Sequence, residues 1–473
     1  MGRWTGYGGA AASWARLAII AMILAGYATC LVVNYPGHFT FDSVWQLAQG
    51  RTGRYNDWHP PVMAWLLGLA DRASPGAWPF IALNGALFYG GLLAFALLER
   101  RPRRISLPVL ALWLISPLAV IYQGVALKDV LFADTALAGF AALAWAGRRW
   151  ARPGARWTLL AGALALFTLA ALTRQNGAVA PLCGALALGA MTLARPSPVQ
   201  GLARRAAGAA LAAILALGLM GAGFGLATAA LEAHGDHHPE NASHMKILQV
   251  FDLAGAASRD PGLDLTLLRR DQPPLARFIQ GPAAARYRAA GVDNLVLLPQ
   301  GRGLMPAPGD AVGRQWRALI LARPWLYLET RAAVWWATLA TPPADLCPMV
   351  FTGVEGDPGA LKRAGLKPRQ TDRDDADDDY AEAFHGTPLF SHLAYGVLLG
   401  LVAAAEAWAC WREGPDPGRI ASLAMMAAAA LFTLSFFVVS VDCDYRYVYF
   451  LDVAAMAAAL RLASARPAPI REA

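Results

Sequence analysis

Runs of apolar residues long enough to cross a bilayer alternate with short polar strips along most of the chain. A helix needs about 20 such residues to span the hydrocarbon core. By that measure the pattern predicts ten spans, at 14–34, 76–98, 105–121, 125–147, 157–173, 177–194, 208–231, 387–410, 420–440 and 446–462. One stretch, 232–386, breaks the alternation by mixing polar and apolar residues. The chain thus divides into an N-terminal transmembrane module (1–231) whose first loop is rich in ionisable groups, a loop region with interfacial helices (232–386), and a C-terminal transmembrane module (387–473). The expected fold class is an all-α polytopic membrane protein.

Composition agrees, with 56% hydrophobic and 16% charged residues, while the net charge of +8 raises a separate question. A nucleic-acid binder would cluster its cations on a soluble face. Here the 37 arginines and four lysines fall largely in strips between apolar runs, so no nucleic acid is expected as a partner. ERRPRR at 99–104, RRWARPGARW at 148–157, Arg195 with Arg204 and Arg205, and the tail from Arg461 all fall on one side of the predicted alternation. The positive-inside tendency makes that side cytoplasmic. Segments 35–75, 122–124, 174–176, 232–386 and 441–445 then face outward. The first run is long and has no small-residue cleavage site, so it is expected to stay as an anchor. An Ala- and Arg-rich composition suggests a GC-rich bacterial genome, and hence a multi-pass protein of the bacterial inner membrane with the periplasm outside.

The outer region carries 20 acidic and 17 basic residues, leaving the basic excess to the rest of the chain. Residues 314–340 read as an interfacial helix or as an eleventh span broken at Pro324. DRDDADDDY at 372–380 reads as a solvated loop, lacking the glycine and spacing of a calcium loop. HGDHHPENASH at 234–244 holds four histidines, for which a solvated loop and a metal site are both open readings. Of five cysteines, Cys347 and Cys443 are the pair on the outer side, so a disulfide between them is one expectation. There is no internal repeat and no glycine-rich phosphate loop.

Ionisable residues near membrane depth are costly and tend to mark sites. Those at the span ends gather on the outer side: Asp42, Asp57 and His59 after the first span, Lys128 and Asp129 in QGVALKDVLF, Arg174 in LTRQNG, and Asp442, Asp444 and Arg446 in VDCDYRYVYF. Asp134, Glu406 and Asp452 lie inside spans, where neighbouring helices are expected to satisfy them. A carboxylate can deprotonate a hydroxyl or hold a divalent metal, and Lys and Arg can bind a phosphate and stabilise its charge as it leaves. Such a set at one membrane face suits glycosyl transfer from a lipid-phosphate donor, whose tail lies in the bilayer and whose phosphate lies at the interface.

The run from Pro36 to Pro61, with an acid after the first span and HPP before the next apolar segment, resembles the GT-C superfamily of integral membrane glycosyltransferases, including bacterial relatives of protein O-mannosyltransferases and aminoarabinose transferases. Lys128-Asp129, Arg174 with Asn176-Gly177, and Arg446-Tyr447 extend the likeness over roughly 14–195 and more loosely over 387–462. The resemblance implies a GT-C-like fold with a large periplasmic loop region, a polyprenyl-phosphate-linked sugar as donor, and a glycan, lipid or protein as acceptor. It implies inversion, with Asp42 as catalytic base or metal ligand and Asp129 as its second acid. His59, Lys128, Arg174, Arg446 and Tyr447 would bind the donor, and Asp57 would be a further catalytic acid or a turn cap. Asp42 and Asp129 could share a magnesium or manganese ion, although Ser43 stands where many members carry a second adjacent acid. The alternative is a transporter or lipid or glycolipid flippase, which calls for charges at mid-span.

Overall fold

The computed structural model describes residues 7–465 except 57, 196–200, 235, 239–240, 290, 297, 299–309, 341–346 and 348. The helices that matter below are α1 (Tyr7–Val33), α2 (Phe41–Thr52), α3 (Pro61–Ala73), α4 (Trp78–Ala96), α5 (Ser106–Leu114), α6 (Lys128–Arg148), α7 (Pro153–Thr173), α8 (Val179–Leu193), α9 (Leu202–His234), α10 (Asn241–Arg259), α11 (Ala311–Ala322), α12 (Pro324–Ala340), α13 (Asp372–Glu382), α14 (His392–Glu413), α15 (Pro417–Val439) and α16 (Tyr449–Ser464). Two three-residue strands, β1 (Arg54–Asn56) and β2 (Asp236–His238), pair in parallel.

Among the described residues eight helices are long and apolar enough to cross a membrane, or nine if one bent pair counts as a span, which corrects the expected ten. The predicted span at 105–121 is broken: α5 stops, Ser116 caps a second short helix by accepting from Leu118 N–H, and the two axes bend by 65°. Pro117 explains the break, because its ring leaves no N–H to donate and disfavours helical geometry before it. The predicted 177–194 span is α8, only 15 residues long. At 1.5 Å per residue it reaches about 22 Å, short of the ~30 Å core.

Two helices form the centre. The membrane-length windows of α6 and of residues 445–464 are 83% and 78% buried, against 17% for those of α1 and α9. Phe132 of α6, Phe432 of α15 and Phe450 of α16 pack ring to ring, with centroids 4.4 and 5.2 Å from Phe132. The outlying helices expose Leu24 and Val32, or Ile214, Leu219 and Leu226, as a lipid-facing surface does. The mid-span acids are closed off by neighbours. Gln123 donates to Asp134 (3.0 Å), His392 Nδ1 meets Asp452 at 2.9 Å, and Arg461 pairs with Glu406.

The region after α9 is folded onto one end of this bundle. The 314–340 segment is two helices, α11 and α12, broken at Arg323-Pro324, and neither is among the candidate spans. Arg331 of α12 is fully buried, pairs with Asp252 Oδ1 of α10 at 2.9 Å, and donates to the Phe437 and Ser440 carbonyls at 2.7 and 2.8 Å. It thereby caps the open carbonyls at the end of α15. The acidic run is not a loop but α13. Thr371 and Asp374 form a capping box, and Asp372, Asp374 and Asp375 occupy its first turn, where the helix dipole favours negative charge. The disulfide is present: Cys347 and Cys443 are bonded with Cα atoms 5.4 Å apart, tying this region to the loop before Arg446. The side chains of the histidine-rich segment, including His234, His237, His238 and His244, lie outside the described residues.

Candidate active site

The loop after α1 is clipped to two distant segments by backbone bonds. His38 N–H donates to Gly124 O and Ala126 N–H to His38 O, both at 3.0 Å, while Phe39 N–H donates to Gly353 O at 2.9 Å. The clip needs glycine at 124, because a Cβ there would lie 2.0 Å from the Asn34 side chain. It sets the start of α2 beside the start of α6. Thr40 and Ser43 form a capping box at the start of α2. That fixes Asp42 in the first turn, where the dipole stabilises a carboxylate. The helix is held close to α3 at Gly50 and Gly68, where a Cβ on Gly50 would sit 2.2 Å from Ala64 O. Pro61 opens α3 at a position that needs no donor, and leaves His59 just ahead of it.

Around Asp42 the charges form one alternating chain. Arg446 Nε lies 2.5 Å from Asp444 Oδ2, and its Nη2 lies 2.7 Å from Asp42 Oδ2. Lys128 Nζ stands 3.6 Å from Asp42 Oδ2 and 4.0 Å from Asp129 Oδ2, and Arg174 closes the chain on Asp129. His59 Nε2 lies 3.3 Å from Asp42 Oδ1. The Asp42 side chain is 27% exposed while those of His59, Lys128, Asp129, Arg174, Asp444 and Arg446 are 1–11% exposed, so the chain opens at Asp42. Arg446 Nη1 is buried with no hydrogen-bond partner. Arg174 is boxed by Phe432, Phe436 and Tyr447, with its guanidinium 5.3–5.7 Å from each ring centre, and Tyr447 stacks on Phe436.

Electrostatics follow from this packing. Burial by itself would raise the Asp42 carboxyl, but Arg446, Lys128 and His59 together hold it well below the usual carboxylate range. Burial and then Lys128 push His59 down to about 4, against the opposing pull of Asp42. The imidazole is therefore neutral near pH 7, with Nε2 facing Asp42 Oδ1. At the rim, burial raises Asp442 to about 7, with Asp293 and Asp444 adding to the effect of burial and the Cys443 N–H opposing it. Gly291 bridges to Asp442, which brings the start of the Asp293 turn to this edge.

Asp42, His59, Lys128, Asp129, Arg174, Arg446 and Tyr447 thus converge, while Asp57 lies outside the described residues. Among the described residues the donor set does not fit a resident divalent ion. Among the described residues no three His, Cys, Asp or Glu side chains gather for one, and the Lys128 ammonium occupies the space between Asp42 and Asp129. Sequence reasoning missed the Phe432 and Phe436 faces of the Arg174 box, the Asn176–Ser435 hydrogen bond (2.8 Å) beside it, and Asp293. The i, i+4 spacing of the two phenylalanines was the one available signal, and it fits any buried helix face equally well.

A groove of about 490 Å³ begins at this cluster. Pro60 and Arg174 stand at one end, and Leu172, Leu217, Met220 and Phe224 are among its largely apolar walls, contributed by α3, α7, α8 and α9. In comparisons with protein-family models, curated proteins and solved structures, none matches this chain.

Proposed function

We propose that the protein is a GT-C-like membrane glycosyltransferase that moves a sugar from a polyprenyl-phosphate donor to a hydroxyl acceptor at the end of the bundle carrying Asp42. The observation that carries this reading is the position of Arg174, which ends the charge chain and also heads the apolar groove. A donor with an isoprenoid tail and a phosphate head has the same two-part character. With its tail in the groove, its phosphate falls among Arg174, Lys128 and Arg446, whose Nη1 has a donor to spare.

The chain is self-neutralised, so a phosphodiester binds by exchange: its oxygens take Arg446 and Lys128 from Asp42. Removal of those cations restores the basicity that they suppress, and Asp42 then accepts the acceptor's proton. The acceptor oxygen bonds to the anomeric carbon as the bond from that carbon to the phosphate oxygen breaks from the opposite face. The electron pair leaves with the polyprenyl phosphate, and its second negative charge falls to Arg446, Lys128 and Arg174. Neutral His59 holds Asp42 in orientation, and Asp129 positions the donor sugar. No step calls for a metal.

The arginine-rich strips support a cytoplasmic location for the opposite end, and with it a site that faces the periplasm of a bacterial inner membrane. A flippase would need a polar path between the ends, whereas the mid-span acids pair with their neighbours. The test is purified protein with a panel of polyprenyl-phosphate sugars, scored for donor-dependent binding and slow hydrolysis. Absence of both across the panel overturns the reading.

A further inference from the structure

The end of the bundle opposite Asp42 holds a cavity of about 690 Å³ that the transfer reaction does not use. Five arginines line it: Arg16 from α1, Arg100 from the strip after α4, Arg148 and Arg149 at the end of α6, and Arg152 just before α7. Arg148 is partly neutralised, with Nη2 2.8 Å from Glu99 Oε1 and 3.8 Å from Asp416 Oδ1. Arg149 stacks on Trp145 at 5.4 Å, and Trp145 is itself fixed by its Nε1–H bond to Ala94 O at 3.0 Å. No acidic partner is found among the described residues for Arg16, Arg100, Arg149 or Arg152.

Membrane topology explains why arginines sit at this end. It does not by itself bring five from three separate segments around one cavity, where Arg16 and Arg149 are half-buried and Arg100, Arg148 and Arg152 stay open to an incoming anion. A basic pocket between membrane helices at headgroup depth is suited to a phosphate ester, which accepts forked guanidinium hydrogen bonds. Leu97 and Leu98 add an apolar edge beside it.

We propose that this cavity is a binding site for a phosphate-bearing anion, supplied by the headgroup of a membrane phospholipid or by a soluble phosphate. It is independent of the transferase reading.

The full-length protein in phosphatidylcholine nanodiscs doped with phosphatidylglycerol, and separately with pyrophosphate in solution, tests it by native mass spectrometry and titration. The Arg100→Gln/Arg152→Gln double variant is set against Arg204→Gln/Arg412→Gln, which removes the same charge from exposed positions elsewhere at this end. One retained phosphatidylglycerol per protein, weakened about tenfold or more in the cavity variant alone, is the expected result for the lipid source. Saturable pyrophosphate binding with the same variant dependence identifies the soluble source. No saturable binding of either probe, or equal weakening in both double variants, overturns the proposal.

Discussion

The two ends of the bundle carry comparable numbers of cations in opposite electrostatic states. At one end Asp444, Arg446, Asp42, Lys128, Asp129 and Arg174 alternate in sign and neutralise one another. At the other, Arg16, Arg100, Arg149 and Arg152 share a cavity with little opposing charge. The first set is buried and held by helix starts and loop clips, and buried charges persist only when paired. The second lies nearer to water, where unpaired arginine is affordable. An anion therefore enters the first end by exchange, displacing a carboxylate, and the second by addition. Exchange couples binding to chemistry because it frees a base, whereas addition yields binding alone.

The sharpest way to break this contrast is Asp42→Asn, which keeps the side chain's size and removes both the base and the competing charge. Transfer should fall by about 100-fold or more, while donor affinity holds or rises because Arg446 and Lys128 no longer have Asp42 to satisfy. Donor binding that weakened in step with turnover would contradict exchange. Next in size is Lys128→Ala, where donor binding should weaken by about 1.5–3 kcal/mol for a charge-assisted phosphate contact. Isothermal titration with a polyprenyl-phosphate sugar measures it, and an unchanged affinity would remove Lys128 from the phosphate site.

A smaller effect is expected from pH. Asp442 titrates near 7, so raising pH through that value adds a negative charge at the rim facing Arg446. Donor affinity should decline across this interval by a few-fold, and Asp442→Asn should flatten the profile. The same raised acid makes the native state bind more protons than the unfolded chain between about 3.8 and about 7. Its contribution to stability therefore decreases as pH rises through that window, with no further change above it. His59, lowered to about 4, adds no inflection to donor affinity between pH 6 and 8, and its contribution to stability rises with pH between about 4 and 6.5. The smallest predicted effect is none: exhaustive chelation should leave transfer intact, since Lys128 holds the place between the two carboxylates. Loss of activity with rescue by magnesium would reverse that assignment.

Much of the site was legible because membrane burial is a one-dimensional constraint. A charge at a span end stands out against apolar neighbours, so Asp42, His59, Lys128, Asp129, Arg174 and Arg446 could be picked out singly. Asp444 could be paired with Arg446 from their two-residue separation. Arg331 was not legible as a buried residue, because its partners Asp252 and Ser440 are far away in sequence and an arginine in a Trp-rich helix also suits the interface. The acidic run at 372–380 read as loop because like charges repel, whereas the capping box and the buried Asp374 bonded to Arg369 make it a helix.

The sequence by itself determined the class of protein, eight of its membrane helices and the confinement of the short arginine strips between spans to one side. Each follows from local rules, the length of an apolar run and the cost of moving charge across a bilayer. Tertiary structure decided what those rules leave open. It bent the chain at Pro117, shortened α8, seated helices α10 to α13 on one end of the bundle, and headed an apolar groove with Arg174. Above all it decided which acid meets which cation. Coulomb energy depends on distances between groups far apart in the chain, so one end became a closed chain of pairs and the other an open ring of arginines.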